Sequence, residues 1–243
     1  MMNGVEVVMD NSSTSIVKLP DPAVVAATTS SPLSAIAEAF EHLAKLLNRG
    51  DLPLDAFYEA CSFVSVLFNC LGFAFKFAEL EYVAKLEGLM EASPACGTLK
   101  DVIEVDVASK TVKSPGSYSR NLRRVRQGVD LVRAIFEQLL ATDDSCLKEI
   151  ASSAYAQICA PYHTWAVRTA VHAGMYTLPT RDQLFLRLNE TAFYLLKRTE
   201  LLCMNGTPEK SAEAKMKRYI NAATPVIEYI DKLYLSRKIP LNW

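Results

Sequence analysis

Residues 118–141 place the strongest constraint on the fold of this chain, because the apolar residues among them recur every three or four positions. On a helix these residues make one continuous stripe, and such a stripe must be buried against other elements. The sequence therefore predicts a long amphipathic helix that packs against neighbouring helices. The residues of the stripe are Leu122, Val125, Val129, Val132, Ile135, Phe136, Leu139 and Leu140.

The same helical spacing recurs along the rest of the chain, between short turns. Ser31 and Pro32 open the first helix as its cap and its first turn. No alternating apolar and polar pattern of useful length predicts a strand, so the sequence indicates an all-α fold of about eight helices. The predicted helical segments lie at about 32–47, 53–70, 73–91, 98–110, 118–141, 147–159, 161–173, 180–203 and 211–236.

The first 30 residues differ from the rest, since they are rich in Ser, Thr, Val and Pro and show no helical period. We predict a disordered tail at residues 1–30 and one domain at residues 31–243. The first ten residues carry no basic residue, which is atypical of a secretory or mitochondrial address. The longest apolar stretch, residues 63–78, is interrupted by Ser, Asn and Lys, and we expect it to be too short to span a bilayer.

The composition excludes some functions. The 26 basic and 27 acidic residues leave a net charge of -1, which argues against a nucleic-acid binder and requires any anion site to be a local cluster. Six cysteines without a CxxC pair, beside three histidines, do not indicate a zinc site; we expect reduced thiols in the cytoplasm. The 50% share of hydrophobic residues fits either a well-filled core or a cavity for an apolar ligand.

Charged pairs at helical spacing are the clearest candidates for a site, since no phosphate loop, GxSxG or HExxH motif occurs. Glu81 and Lys85 share one helix face, either as an exposed ion pair or as part of a ligand site. Arg120 and Arg124 also share one face, either solvated or converging on a phosphate.

Two residues near Pro161 leave similar alternatives open. His163 is either structural or a ligand-binding group. Trp165 is either a core residue or an anchor at a membrane interface.

Four segments together resemble the glycolipid transfer protein superfamily, and most closely its plant accelerated-cell-death branch, whose ligand is ceramide-1-phosphate. The resemblance covers about residues 33–188 and residue 211 to the end. The segments are FNCLGFAFKFAELEYVAK at 68–85, SRNLRRV at 119–125, YAQ followed by APYHTW within 155–165, and GMYTLPTR at 174–181.

The resemblance implies a two-layer helical sandwich with an apolar lipid pocket between the layers. It implies that Glu81 accepts the N–H of the sphingoid amide, that His163 donates to the amide carbonyl, and that Lys85, Arg120 and Arg124 bind the headgroup. Members that bind glycolipids place Trp at the position of Arg124 and prefer Asn at that of Lys85. Three converging cations match a phosphate monoester, which carries close to two negative charges.

Two features depart from the family pattern. The family acid is usually Asp, whereas Glu81 adds a methylene and reaches roughly 1 Å further. The segment at about 191–210 has no counterpart in the relatives, and it makes this part of the domain unusual.

We therefore expect non-vesicular transfer of sphingolipids with a phosphate headgroup, namely ceramide-1-phosphate and phyto-ceramide-1-phosphate. The protein is expected to be a cytoplasmic monomer without enzymatic activity, cofactor or metal, which docks transiently on membranes through Trp165. The alternative is a lipid-sensing or interaction protein of the same fold with little transfer activity. The resemblance also implies a link to programmed cell death.

Overall fold

The computed structural model describes residues 31–72, 75–142, 146–189 and 208–243. The predicted tail at 1–30 and most of the 191–210 segment lie outside these residues. The described residues form nine α-helices: α1 (Pro32–Leu47), α2 (Leu54–Leu71), α3 (Lys76–Met90), α4 (Leu99–Ser109), α5 (Tyr118–Ala141), α6 (Leu147–Ile158), α7 (Trp165–Gly174), α8 (Arg181–Asn189) and α9 (Pro208–Leu235).

Side-chain caps explain why several helices begin where the sequence predicts. The hydroxyls of Ser31, Thr98 and Ser117 accept hydrogen bonds from backbone N–H groups in the first turns of α1, α4 and α5. At the end of α2, Gly72 has a φ of 104°, a conformation that favours glycine. Because these signals are local, the bounds of α5 agree with the prediction at both ends.

Helix α5 connects the parts of the domain, because it packs against α2, α3, α4, α6 and α9. Helix α1 lies against α2, α8 and α9, and α2 lies against α3 and α8. Within the described ranges the β-structure is limited to an isolated bridge between Pro53 and Thr98. The apolar stripe of α5 is buried, as the spacing of its residues predicts, except for Leu140, which is half-buried.

Helix α2 is the most apolar of the helices described. By length and composition alone it could cross a membrane, with a mean hydropathy of 1.3. In the structure one face of the helix, with Phe57, Val64 and Leu67, is buried against neighbouring helices. That packing is typical of the core helix of a globular domain.

The sequence pattern predicts a helix from Pro161 to Ala173, but in the structure the helical conformation is interrupted at His163. Residues Ala160–Tyr162 form one 3₁₀ turn, and His163 is extended with φ -102° and ψ 146°. The break arises because the Thr164 side chain caps α7, accepting a hydrogen bond from the N–H of Val167. His163 therefore lies in a link between two helices.

Candidate functional site

Helix α5 carries three arginines that are neutralised by carboxylates. The Arg123 Nη1 lies 2.9 Å from the Asp231 Oδ1, and Arg126 bridges Asp231 and Asp130, with its Nη1 2.6 Å from the Asp130 Oδ2. Arg133 lies 2.6 Å from Asp130. Since Asp231 belongs to α9, its ion pairs with Arg123 and Arg126 hold α9 against α5. These arginines therefore stabilise the fold.

Arg120 and Arg124 differ from these three, because neither is paired with a carboxylate among the described residues. Arg120 donates from Nη1 to the Lys113 carbonyl at 2.8 Å, and the Arg124 Cζ lies 5.5 Å from the centre of the Tyr162 ring. Burial lowers the pKa of Arg124, and the charges of Arg120 and Arg123 lower it further. The half-buried cation of Arg124 therefore stands where an anion would be stabilised.

Gln127 was not predicted from the sequence, although it contacts this cation. Its Oε1 accepts a hydrogen bond from the Arg124 Nη1 at 2.7 Å, and its side chain is buried. Its Nε2 is buried without a hydrogen-bond partner in the described part of the protein. One signal could have identified it: an amide side chain three positions after Arg124, on the same face of the helix.

Two glycines let α3 and α5 approach each other. A Cβ at Gly88 would lie 2.7 Å from the Asn121 Nδ2, and a Cβ at Gly128 would lie 2.6 Å from the Tyr82 Cε2. The Tyr82 hydroxyl donates to the Cys61 carbonyl of α2 at 3.1 Å, which fixes the face of α3. The close approach brings Glu81 and Lys85 of α3 towards Arg120 and Arg124 of α5.

Glu81 and Lys85 form an ion pair on α3, with 3.1 Å between the Lys85 Nζ and the Glu81 Oε1. The Glu81 side chain is 69% exposed and that of Lys85 35%. The spacing left two alternatives open, an exposed ion pair or part of a ligand site. In the structure the two residues form an exposed ion pair. Glu81 also acts on the link between α6 and α7, because its charge raises the pKa of His163.

His163 is half-buried between these groups. Burial lowers its pKa, Arg124 lowers it further, and Glu81 opposes both. Its Nδ1 lies 2.8 Å from the hydroxyl oxygen of Tyr155 on α6, a residue to which the sequence assigned no role. The structure therefore brings Glu81, Arg124 and His163 together, with Lys85 bound to Glu81 and Arg120 beside Arg124.

The end of the chain contacts the same region. The Leu241 carbonyl accepts hydrogen bonds from the Arg123 Nη2 at 2.7 Å and from the Tyr162 hydroxyl at 3.3 Å. Tyr162 also lies against Arg124 and precedes His163. The C-terminal segment thus supports one side of the cation site.

Trp165 begins α7, and its side chain is 74% exposed. In α7, which is described in full, no side chain is buried. Other large apolar residues stand out from α3: Phe77 is 77% and Leu80 is 60% exposed. This exposure excludes the core alternative for Trp165, and its role as a membrane anchor stays a prediction.

A small cavity of about 30 Å³ lies between α2, α5 and α8, lined by apolar side chains that include Leu67, Phe136 and Leu184. That volume is roughly a tenth of the smallest ligand pockets, which measure about 300 Å³. A lipid chain can enter only if these helices move apart. Beside the arginines of α5, burial raises the pKa of the Cys159 thiol to about 12, which does not suggest a reactive cysteine there.

Comparison with known proteins places these features in a family. Residues 52–190 match the family described as glycolipid transfer protein (GLTP). The chain is 56% identical over 225 residues to an ACD11 homolog protein of Arabidopsis thaliana, covering 89% of this chain and 91% of that one. It is 25% identical over 158 residues to the ceramide-1-phosphate transfer protein of Rattus norvegicus, covering 59% of this chain and 73% of that one.

A solved structure has the same fold. It is a mutant of Arabidopsis accelerated-cell-death 11 (ACD11) complexed with C12 ceramide-1-phosphate, with a TM-score of 0.77 and 40% identity. The match covers 88% of this chain and 100% of that one. The likeness confirms the predicted all-α, two-layer sandwich. The chain belongs to the glycolipid transfer protein family.

Proposed function

We propose that this protein binds sphingolipids with a phosphate headgroup, such as ceramide-1-phosphate and its phyto-ceramide form, and transfers them between membranes without vesicles. One observation carries the proposal: Arg124 is half-buried beside Arg120, and no carboxylate among the described residues neutralises either. The relative structure with ceramide-1-phosphate bound, at 40% identity, supports the same ligand.

The headgroup site rests on charge. A phosphate monoester carries close to two negative charges at neutral pH. Arg120 and Arg124 supply forked donors to it, and Lys85 adds a third cation when the headgroup competes with Glu81. An uncharged sugar would leave the repulsion between the two arginines in place, so the site favours phosphate.

The amide of the lipid is recognised by two further groups. Glu81 accepts the amide N–H, and its exposed carboxylate has the freedom to turn from Lys85 towards the ligand. His163 is held neutral by burial and by Arg124, and a neutral imidazole donates one hydrogen bond to the amide carbonyl. This pair selects sphingolipids because both the N–H and the C=O of the amide are used.

The hydrocarbon chains occupy the apolar space between α2, α5 and α8. Exposing one CH₂ group to water costs roughly 0.8 kcal/mol, so a chain of about sixteen carbons costs roughly 13 kcal/mol. The cavity of about 30 Å³ must therefore expand on loading. Its apolar lining leaves no polar group to desolvate.

Membrane contact is peripheral and brief in this proposal. The exposed Trp165 enters the interface between headgroups and acyl chains, where an indole is favoured. The protein acts as a cytoplasmic monomer without cofactor, and it leaves the lipid chemically unchanged. The name of the ACD11 relative suggests a role in cell death. In this proposal such a role follows from lipid binding.

The test is transfer of fluorescent lipids between vesicles, comparing ceramide-1-phosphate with galactosylceramide of the same acyl chain. We expect ceramide-1-phosphate alone to move, with no release of inorganic phosphate. Equal movement of both lipids would contradict the charge argument, and phosphate release would reveal an enzyme.

The alternative is a lipid sensor or interaction protein of the same fold with little transfer activity. The small cavity and the Glu81–Lys85 ion pair favour it, because both must rearrange before a lipid enters. A sensor would bind ceramide-1-phosphate on vesicles and release it too slowly for transfer. Binding without transfer in the same vesicles would support this alternative.

A further inference from the structure

Tyr155 and His163 form a hydrogen-bonded pair beside the amide site. The Tyr155 hydroxyl oxygen lies 2.8 Å from the His163 Nδ1, and the ring centres are 5.6 Å apart with an angle of 45° between the ring planes. Tyr155 projects from α6, whose residues Ala151 and Ala154 are buried against the core. A side chain on a packed helix thus contacts a histidine on an extended link.

Both members of this pair are neutral near pH 7. Burial lowers the pKa of His163, and burial raises the pKa of Tyr155 to about 12. A neutral imidazole carries one N–H donor and one acceptor nitrogen, whereas a phenol can donate or accept. The pair therefore has two arrangements, which differ in the nitrogen of His163 that carries the proton.

Only one arrangement suits a sphingolipid amide. If the Tyr155 hydroxyl donates to Nδ1, the proton of His163 lies on Nε2, and Nε2 can donate to a carbonyl oxygen. If Nδ1 donates to Tyr155 instead, Nε2 is a bare acceptor and repels that oxygen. A carbonyl can only accept, so binding through His163 requires Tyr155 as the donor.

We infer that Tyr155 is a positioning residue, which donates to the Nδ1 of His163 and thereby keeps the Nε2–H that binds the amide carbonyl of the lipid. The inference rests on the proposed function for its ligand, but the tautomer of His163 is a property of the protein without lipid. Tyr155 itself does not touch the lipid in this arrangement.

The charges around His163 determine how the pair responds to pH. Arg124 from α5 disfavours the imidazolium, Glu81 from α3 favours it, and Tyr155 faces Nδ1 from α6. An imidazolium has no acceptor nitrogen, but the Tyr155 hydroxyl can turn and accept from its Nδ1–H, so the tautomer of the neutral ring, and not the pKa of His163, reports on Tyr155. Removing that hydroxyl takes away the preference for the Nε2–H form, whereas a purely structural role for Tyr155 would leave the tautomer unchanged.

The test is ¹⁵N NMR of the three histidines in the wild type and in Tyr155→Phe. His42 and His172 are exposed and serve as internal references. In the wild type we expect His163 to be mainly the Nε2–H form. In Tyr155→Phe we expect a mixture of the two neutral tautomers of His163. Tyr229→Phe is the matched control, because it removes the phenol that donates to Asp51 at 2.9 Å, away from the site.

Lipid binding gives the second readout. Tyr155→Phe should bind ceramide-1-phosphate about fivefold more weakly, the effect of one net hydrogen bond, while Tyr229→Phe binds normally. An unchanged His163 tautomer and an unchanged affinity would overturn the inference. A wild type that binds no ceramide-1-phosphate refutes the proposed function instead, and the tautomer of His163 still decides the role of Tyr155.

Discussion

Replacing Arg124 with alanine separates the binding role of this cation from any role in stability. Without a ligand, its charge is disfavoured by burial and by Arg120 and Arg123. The wild-type side chain keeps one hydrogen bond to Gln127 and one ring contact with Tyr162. We therefore expect Arg124→Ala to lose lipid binding while the domain stays folded.

The magnitudes follow from these contacts. Losing the hydrogen bond and the ring contact costs about 2 kcal/mol in total, and relief of repulsion and burial offsets much of it. The unfolding temperature should change by less than about 3 °C. A forked contact with phosphate contributes about 3 kcal/mol, so the affinity for ceramide-1-phosphate should fall roughly 150-fold.

Arg133→Ala on the same helix is the matched control, with the opposite result expected. Arg133 is paired with Asp130 and Glu137, and these pairs raise its pKa. Its removal should cost roughly 2 kcal/mol and lower the unfolding temperature by about 6 °C, without slowing transfer. Thermal unfolding and vesicle transfer, measured on both variants, give the comparison.

The reasoning would be refuted if Arg124→Ala destabilised the protein as much as Arg133→Ala and still transferred the lipid normally. Arg124 would then be part of the structural charge network, like Arg123. The headgroup site would have to be sought elsewhere.

Three further predictions test the acid, the docking helix and the cavity. Glu81→Ala removes the acceptor for the amide N–H, so affinity measured by vesicle binding should fall about tenfold, with thermal unfolding nearly unchanged because the ion pair with Lys85 is exposed. Trp165→Ala should weaken sedimentation with vesicles without lowering the unfolding temperature, since the indole is 74% exposed; equal sedimentation would exclude this residue as an anchor. Leu184→Phe narrows the cavity, so transfer of long-chain ceramide-1-phosphate should slow while a two-carbon acyl form still moves; slowing of both forms would show general damage.

The helix bounds could be predicted where the signals are local. Ser31, Thr98 and Ser117 each cap a helix at the residue where the sequence places a start. The break at His163 was missed because Pro161 and the apolar residues after it fit a continuous helix. Whether Thr164 caps α7 or continues a helix depends on the path that packing imposes on the chain.

The site could be predicted only in part. The spacing singled out the candidate residues, but their roles came from the family resemblance, since spacing alone left a solvated face open for Arg120 and Arg124. The partner that neutralises Arg123 is Asp231, 108 positions away, so the sequence could not show that this cation stabilises the fold while its neighbours Arg120 and Arg124 have no carboxylate partner among the described residues. Tyr155 was missed because its role is defined by one contact with the link after α6. Gln127 was missed because a polar residue three positions after Arg124 on the same helix is equally compatible with a solvated face.

The absence of buried side chains in α7 has a consequence for local unfolding. An isolated helix of ten residues is only marginally stable in water, and packing adds little stability to α7. We expect its amide hydrogens to exchange through local opening at a small free energy, while those of α5 exchange only on global unfolding. A bilayer can therefore reshape the segment that carries Trp165 at little cost, while the cations of α5 keep their positions.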